Sequence, residues 1–295
     1  MPISESLYAK PDFSDDARSR RAEGPSRVDG KFDDERAFLD AAKEETPLEI
    51  LRVGLPGDYR PFAIKDPYAK SGYAGHDVAL LEALARLARM LVVFVPTSWQ
   101  TLSEDLAHGR IDVAAGGLSL TADRTNAGRF LPAYASVRKV ALVRKALAEE
   151  FSSPDRLNQP DVRVVKNPGG TNERWVDKHL GHAHVSLCTV NEAIPGLVAD
   201  GMADVMITDN FEARWYAEHD DRLAVLFDDD EHALSEVQQK AVLVSTTART
   251  RCARRAPLYE RLLIAWQKLA ADGTLAKLRD EWLVDRAPER LGTTP

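Results

Sequence analysis

The chain predicts an α/β protein of two lobes, and three observations carry that expectation. From residue 48 onward, short apolar runs alternate with segments whose apolar residues recur every three or four positions. Strands alternating with helices build mostly parallel sheets covered on both faces. The length of 295 residues corresponds to roughly two domains at about 150 residues each. The strand–helix order also restarts after one passage near 140–146 and returns through a second near 238–243. Two α/β lobes joined by a two-strand hinge would face each other across a ligand cleft.

Residues 1–30 are polar, carry both charge signs and lack an apolar period, so they are expected to be poorly ordered. Nothing in them resembles a secretory signal, which sets the expectation of a cytoplasmic location. Residues 33–45 could form one short amphipathic helix on Phe38, Leu39, Ala41 and Ala42. The expected division is an N-terminal extension at 1–47, a first lobe from 48–141 with 243–285, a second lobe at 142–242, and a tail at 286–295. In the first lobe, 48–54 reads as a strand. Gly57 and Pro61 interrupt any pattern and mark 57–62 as a loop. A helix runs from Asp77 through Met90 on Val78, Leu81, Leu84, Ala85 and Ala88. Then come a buried strand at 91–95, a helix at 99–108 and a strand at 112–116. In the second lobe, strands at 162–165, 183–187, 204–207 and 223–227 alternate with helices near 172–180, 190–200 and 210–218. Residues 240–245 are strand-like. Helices at 257–271 and 274–283 close the chain and are expected to return to the first lobe.

Composition removes several classes of function. Hydrophobic residues make up 44% and charged residues 29%, ordinary for a globular chain. A net charge of −7 and a pI near 5.6 leave no basic field for nucleic acid. No apolar run reaches the roughly 18 residues of a membrane helix, so no membrane insertion is expected. Cys188 and Cys252 allow one disulfide or two thiols and exclude a cysteine-rich zinc site. His179, His182 and His184 straddle a helix end, a glycine and a strand, which is no ligand pattern, and neither a metal nor a cofactor is expected. Arg251, Arg254 and Arg255 read as a solvated cluster. A homo-oligomer stays open.

Three segments bear on chemistry. At 116–124 (GGLSLTADR) a strand ends in glycines and a helix follows, with Thr121 as its cap. Free backbone N–H groups at such a point favour an anion, and Arg124 in the first turn can grip a carboxylate. A capped helix with a surface Arg reads equally well. At 167–173 (NPGGTNE) a tight turn leads into a helix that Thr171 can cap. Glu173 is either a first-turn acid favoured by the helix dipole or a general acid facing the cleft. At 208–214, Asp209 closes a strand where ligands bind in open α/β sheets, or simply caps the next helix. Tyr59 and Phe62 are candidate cleft walls, Trp99 a wall or a core residue, and Lys139 a partner for a second carboxylate.

These blocks, with LRVG, GDYRPF, GHDVALLEALA, TSWQTL and ADVMITDNFEAR, resemble the extracellular solute-binding proteins of family 3 over about residues 48–285. The resemblance implies a periplasmic-binding-protein-like fold of type II and a small carboxylate ligand. In such relatives the Arg at position 124 holds the ligand carboxylate and the Asp at 209 takes its ammonium. NPGGTNE, GDYRPF and GGLSLTADR are similar to the dehydratases within that family. These convert prephenate to phenylpyruvate, or arogenate to phenylalanine, without a cofactor. That implies Glu173 as general acid, with Arg124, Ser119, Thr121, Thr171, Asn172, Asp209, Tyr59, Phe62, Trp99 and Lys139 around the substrate. Departures occur at 130–134 (FLPAY), at His76, where an apolar residue is expected, and at 137–139 (VRK).

Overall fold

A computed structural model describes residues 48–229, 231–246 and 256–283. The expected helix at 33–45, Cys252 with its arginine cluster, and the tail at 286–295 lie outside the described residues.

The first lobe is built on a five-stranded sheet in the order Met90–Pro96, Glu49–Leu55, Val113–Ala114, Leu243–Ser245, Gly128–Phe130. Alternation places Leu51, Val53 and Leu55 fully inside. The helix His76–Leu87 packs Val78, Leu81 and Leu84 on one face of this sheet. Leu258–Ala271 adds Leu258, Leu262, Ala265 and Leu269 to the same core, so the closing helices do return to the first lobe. On the other face, Leu102 and Leu106 of the helix Leu102–Ala107 pack with Ile111 and Leu118. The second lobe repeats the plan, in the order His184–Leu187, Arg163–Lys166, Val205–Asp209, Lys139–Arg144, Leu223–Leu226. Val176, Leu157 and Phe151 cover one face; Ile194, Val198 and Ala213 cover the other. Two antiparallel strands, Ala135–Val137 and Gln238–Lys240, pass between the lobes.

The sheets are mixed rather than mostly parallel. Each contains two parallel and two antiparallel pairings. The antiparallel strands are those nearest the crossovers, because a chain arriving from the other lobe enters the sheet against the βα units already there. Lys139–Arg144 pairs with Val205–Asp209, so the outgoing passage lies at 135–138 and residues 139–141 belong to the second lobe. Within the expected loop at 57–62, Asp58–Tyr59 pairs with Ala63–Lys65, which pairs with Tyr73–Ala74. The first-lobe helix stops at Leu87 because Arg89 turns at φ 55, and Met90 opens the next strand. Among the described residues no helix is long and apolar enough to cross a membrane.

Candidate functional site

Asp209 ends the strand Val205–Asp209, and its side chain makes no capping hydrogen bond to the helix Asn210–His219. It turns to three other groups. The antiparallel register sets Asp209 opposite Lys139, and Lys139 Nζ donates to Asp209 Oδ1 at 2.7 Å. Lys240 Nζ lies 2.6 Å from Oδ2. The Tyr59 hydroxyl, from the first lobe, donates to the same oxygen. Burial alone would raise the Asp209 carboxyl, but the two ammonium groups hold it well below the usual carboxylate range. Burial lowers Lys240, against the pull of Asp209. Lys139 Nζ also donates to Thr171 Oγ1 at 2.9 Å and to Asn172 Oδ1. Lys240 Nζ donates to Ser119 Oγ at 3.0 Å. A lysine–aspartate–lysine cluster therefore crosses the interface between the lobes, with all three side chains nearly or fully buried.

Arg124 is buried at the far wall, 7% exposed, so the surface reading fails. Its Nη1 donates to the Ser119 carbonyl at 2.7 Å. Burial, with Arg174 nearby, lowers its guanidinium to about 10. The glycine turn before it does not offer its amides to a ligand. Asp77 Oδ2 accepts the N–H groups of Gly116 and Gly117, each at 2.8 Å, and Leu120 N–H goes to the Gln239 carbonyl. Asp77 is itself held by His76 Nδ1 at 2.9 Å and by the Tyr134 hydroxyl at 2.8 Å. The protein thus supplies its own anion to the two glycine amides.

Gly117 sits at φ +78, and a Cβ there would come 2.5 Å from the Tyr59 ring. Gly117→Ala is expected to lower stability by at least about 1 kcal/mol through backbone strain and overpacking. Urea unfolding monitored by circular dichroism would check it, and an unchanged midpoint would refute it.

Eleven residues from both lobes and the crossover line a narrow pocket that is partly open to solvent. Tyr59, Trp99, Ser119, Arg124, Thr171, Asn172 and Asp209 of the expected set line it, together with Gly117, Asn167, Gly170 and Lys240. The Trp99 indole donates to Asp58 Oδ1 at 2.9 Å, which fixes it as a wall. Phe62 lies behind the wall, stacked on Tyr59 with ring centroids 5.4 Å apart. Lys139 is also behind it, held beneath Thr171, Asn172 and Asp209. Thr121 does not line the cavity, and its buried hydroxyl makes no capping bond. Gly170, not Thr171, occupies the cap of the helix Thr171–His179.

Glu173 does not reach the cavity. Its Oε2 accepts the Gly169 N–H at 2.6 Å and its Oε1 lies 3.5 Å from Lys166 Nζ. In this geometry it braces the turn that precedes it. Sequence reasoning left a different carboxyl unassigned. Glu212 is fully buried, and burial together with Asp58 and Asp209 pushes it up to about 8. The Thr208 hydroxyl and Asn191 Nδ2 donate to it, the latter at 3.1 Å. Asn172 Nδ2 donates to Thr208 Oγ1 at 3.1 Å. One hydroxyl thus separates a neutral carboxyl from a residue of the cavity wall. Glu212 carried one signal in the sequence, its place in the first helical turn after Asp209. Among the described residues no cluster of three or more His, Cys, Asp or Glu could hold a metal ion.

Comparison with known proteins places this geometry. The family model for bacterial extracellular solute-binding proteins, family 3, matches residues 51–285. A cyclohexadienyl dehydratase of Pseudomonas aeruginosa is 31% identical over 244 residues, covering 82% of this chain and 86% of the relative. A probable histidine-binding protein of Neisseria gonorrhoeae is 28% identical over 174 residues, covering 58% of this chain and 62% of the relative. The structure is similar to that of an ancestral amino acid-binding protein described as a precursor of cyclohexadienyl dehydratase. That match has a TM-score of 0.70 and 27% identity, and it covers 84% of this chain and all of that one. The family's description is extracellular, so the comparisons lend no support to the expected cytoplasmic location.

Proposed function

Because the chain belongs to the bacterial extracellular solute-binding proteins of family 3, we propose that it binds a small dicarboxylate between its lobes and acts on it as a prephenate or arogenate dehydratase. The observation that carries this reading is the charge of the enclosed site. Arg124, Lys139 and Lys240 face a single ionised carboxylate, Asp209. Glu212, at about 8, is neutral at physiological pH. The site is therefore left with two uncompensated positive charges, which two ligand carboxylates would balance. A zwitterionic amino acid would not. The ammonium of arogenate would likewise have to displace the lysines from Asp209, so the charge of the site favours prephenate.

The reaction breaks the bond between the ring and its carboxylate, releases CO2, and sends that electron pair into the ring. The C4–oxygen bond breaks at the other end, and the ring becomes aromatic. Hydroxide is a poor leaving group, so the oxygen must accept a proton as it departs. Glu212 supplies that proton through the hydroxyls of Thr208 and Tyr59, each passing one proton on and taking one up, with Tyr59 lining the site, and is reprotonated from water afterwards. Arg124 holds one carboxylate by two parallel hydrogen bonds. Lys240 faces the other. Tyr59 and Trp99 exclude water from the ring.

The test is direct. Purified protein incubated with prephenate should yield phenylpyruvate, read by its absorbance in alkali, or phenylalanine from arogenate. Tight binding of an amino acid with no turnover of either compound would replace this reading by that of a binding protein, like the probable histidine-binding protein of Neisseria gonorrhoeae.

A further inference from the structure

Glu212 is held by more than its own lobe. Asn191 opens the short turn Asn191–Ala193 of the second lobe and is 2% exposed. Its Nδ2 donates to Glu212 Oε1 at 3.1 Å and to the Asp58 backbone carbonyl of the first lobe at 2.9 Å. One amide nitrogen thus spends both of its hydrogens, one in each lobe. Asn191 Oδ1 is buried without a hydrogen-bond partner. A buried acceptor left unpaired costs free energy, so an amide is a poor choice here for packing alone. The residues after Asp58 complete the seam. Tyr59 reaches Asp209. Arg60 Nη2 lies 3.6 Å from Glu192 Oε1, and its guanidinium sits 4.4 Å from the centre of the Trp215 ring. Asp209 and Trp215 stand on either side of Glu212 in the chain.

We propose that Asn191 is a positioning residue for the acid: with the lobes together it pins Oε1 as an acceptor and leaves the carboxyl's proton to Oε2, the oxygen paired with the Thr208 hydroxyl. The Asp58 carbonyl makes this orientation depend on the first lobe. It can only accept, so it turns the nitrogen of the amide, not the oxygen, to this side. Separating the lobes removes that constraint and wets the carboxyl. The charges around Glu212 fit the same role. Asp58 from the first lobe and Asp209 from the adjoining strand disfavour its ionised form, and Lys139 and Lys240 are spent on Asp209. Glu192, next to Asn191, is paired with Arg60. Tyr59 on the pocket side and Tyr216 along the same helix also face it, and burial raises both phenols. Asn191 and Thr208, as donors, pull the other way. Removing the Asn191 donor without admitting water must therefore raise Glu212 further, whereas loosening the site must lower it toward the ordinary carboxyl range.

This inference rests on Glu212 as the proton donor, and the test separates the two. Asn191→Leu keeps the size and removes both donors. Protein with isotopically labelled glutamate carboxyls is titrated by NMR across the neutral and alkaline range, with Glu212→Gln identifying the Glu212 signal. The wild-type midpoint is expected at about 8. The Asn191→Leu midpoint should lie about half a pH unit or more above it. The kcat for prephenate should fall about tenfold or more with KM little changed, because the acid is misaimed while Arg124 and Lys240 are untouched. The alkaline limb of the rate profile should move up with the midpoint. An unchanged midpoint overturns the proposal. So does a lower one, which would make Asn191 a plug against water, and so does a raised midpoint with full kcat. If the wild type turns over neither prephenate nor arogenate, the dehydratase reading fails, and the midpoint alone decides whether Asn191 seats Glu212. Should the leucine variant not fold, Asn191→Ala is read against the same outcomes.

Discussion

Replacing Glu212 by Gln is expected to lower turnover of prephenate or arogenate by about 100- to 10,000-fold, the usual worth of a general acid. Gln keeps the size and accepts one of the Thr208 and Asn191 hydrogen bonds, but it has no acidic proton to give. Ligand affinity should change little, since the cations that meet the carboxylates are untouched. The pH profile carries the same information. Burial raises Glu212 to about 8, so the rate should fall as pH rises through that value, where the donor ionises. The sign for stability agrees. Folding is favoured by the retained proton below the ordinary carboxyl range, and this contribution is lost as pH climbs toward about 8. Steady-state rates from pH 6 to 9 on both proteins would check this. Wild-type turnover in Glu212→Gln would remove the residue from the reaction, and equal loss in Glu173→Gln would return the role to the turn.

Arg124→Ala is expected to weaken ligand binding by about 2–5 kcal/mol, because a desolvated carboxylate loses its charged partner. The expectation rests on burial as well as charge. The guanidinium is 7% exposed and spends one donor on the Ser119 carbonyl at 2.7 Å, so its remaining donors face the cavity already oriented. Arg124→Lys should recover only part of the loss, since an ammonium cannot make the paired contact. Calorimetric titration with prephenate or a product analogue would decide it. Affinity within twofold of wild type in both variants would be incompatible with the assignment.

Much of this fold was legible because burial leaves a period in the sequence. Glu49–Leu55 alternates, Leu258–Ala271 carries a stripe at helical spacing, and both were found within a residue or two. The sheet around Asp58–Tyr59 was not found, since strands of two and three residues have no period to detect. The site was legible where a residue sits at a strand end, as Asp209 does, or follows a glycine turn, as Arg124 does. Lys240 was missed because its partners are brought to it only by tertiary structure. Ser119 is 121 positions away, and a lysine opening a strand reads as a solvated one. Glu173 is the opposite case. It belongs to a distinctive turn, and its hydrogen bond closes within that turn. Glu212 follows Asp209 at the spacing of an ordinary capping box, and nothing local shows that it is sealed inside.

The lysine–aspartate–lysine cluster also sets what directed evolution would do to this protein. Buried ions owe their place to one another, and a well-packed apolar set of similar volume is often as stable or more so. Selection for heat tolerance alone would therefore have little reason to keep Lys139, Asp209 and Lys240, and neutral replacements of the whole trio would pass such a screen. Removing Asp209 alone would not pass, because it strands two buried ammonium groups. A library meant to harden this scaffold should hold those three codons fixed, or it will return robust proteins with nothing left to grip a substrate.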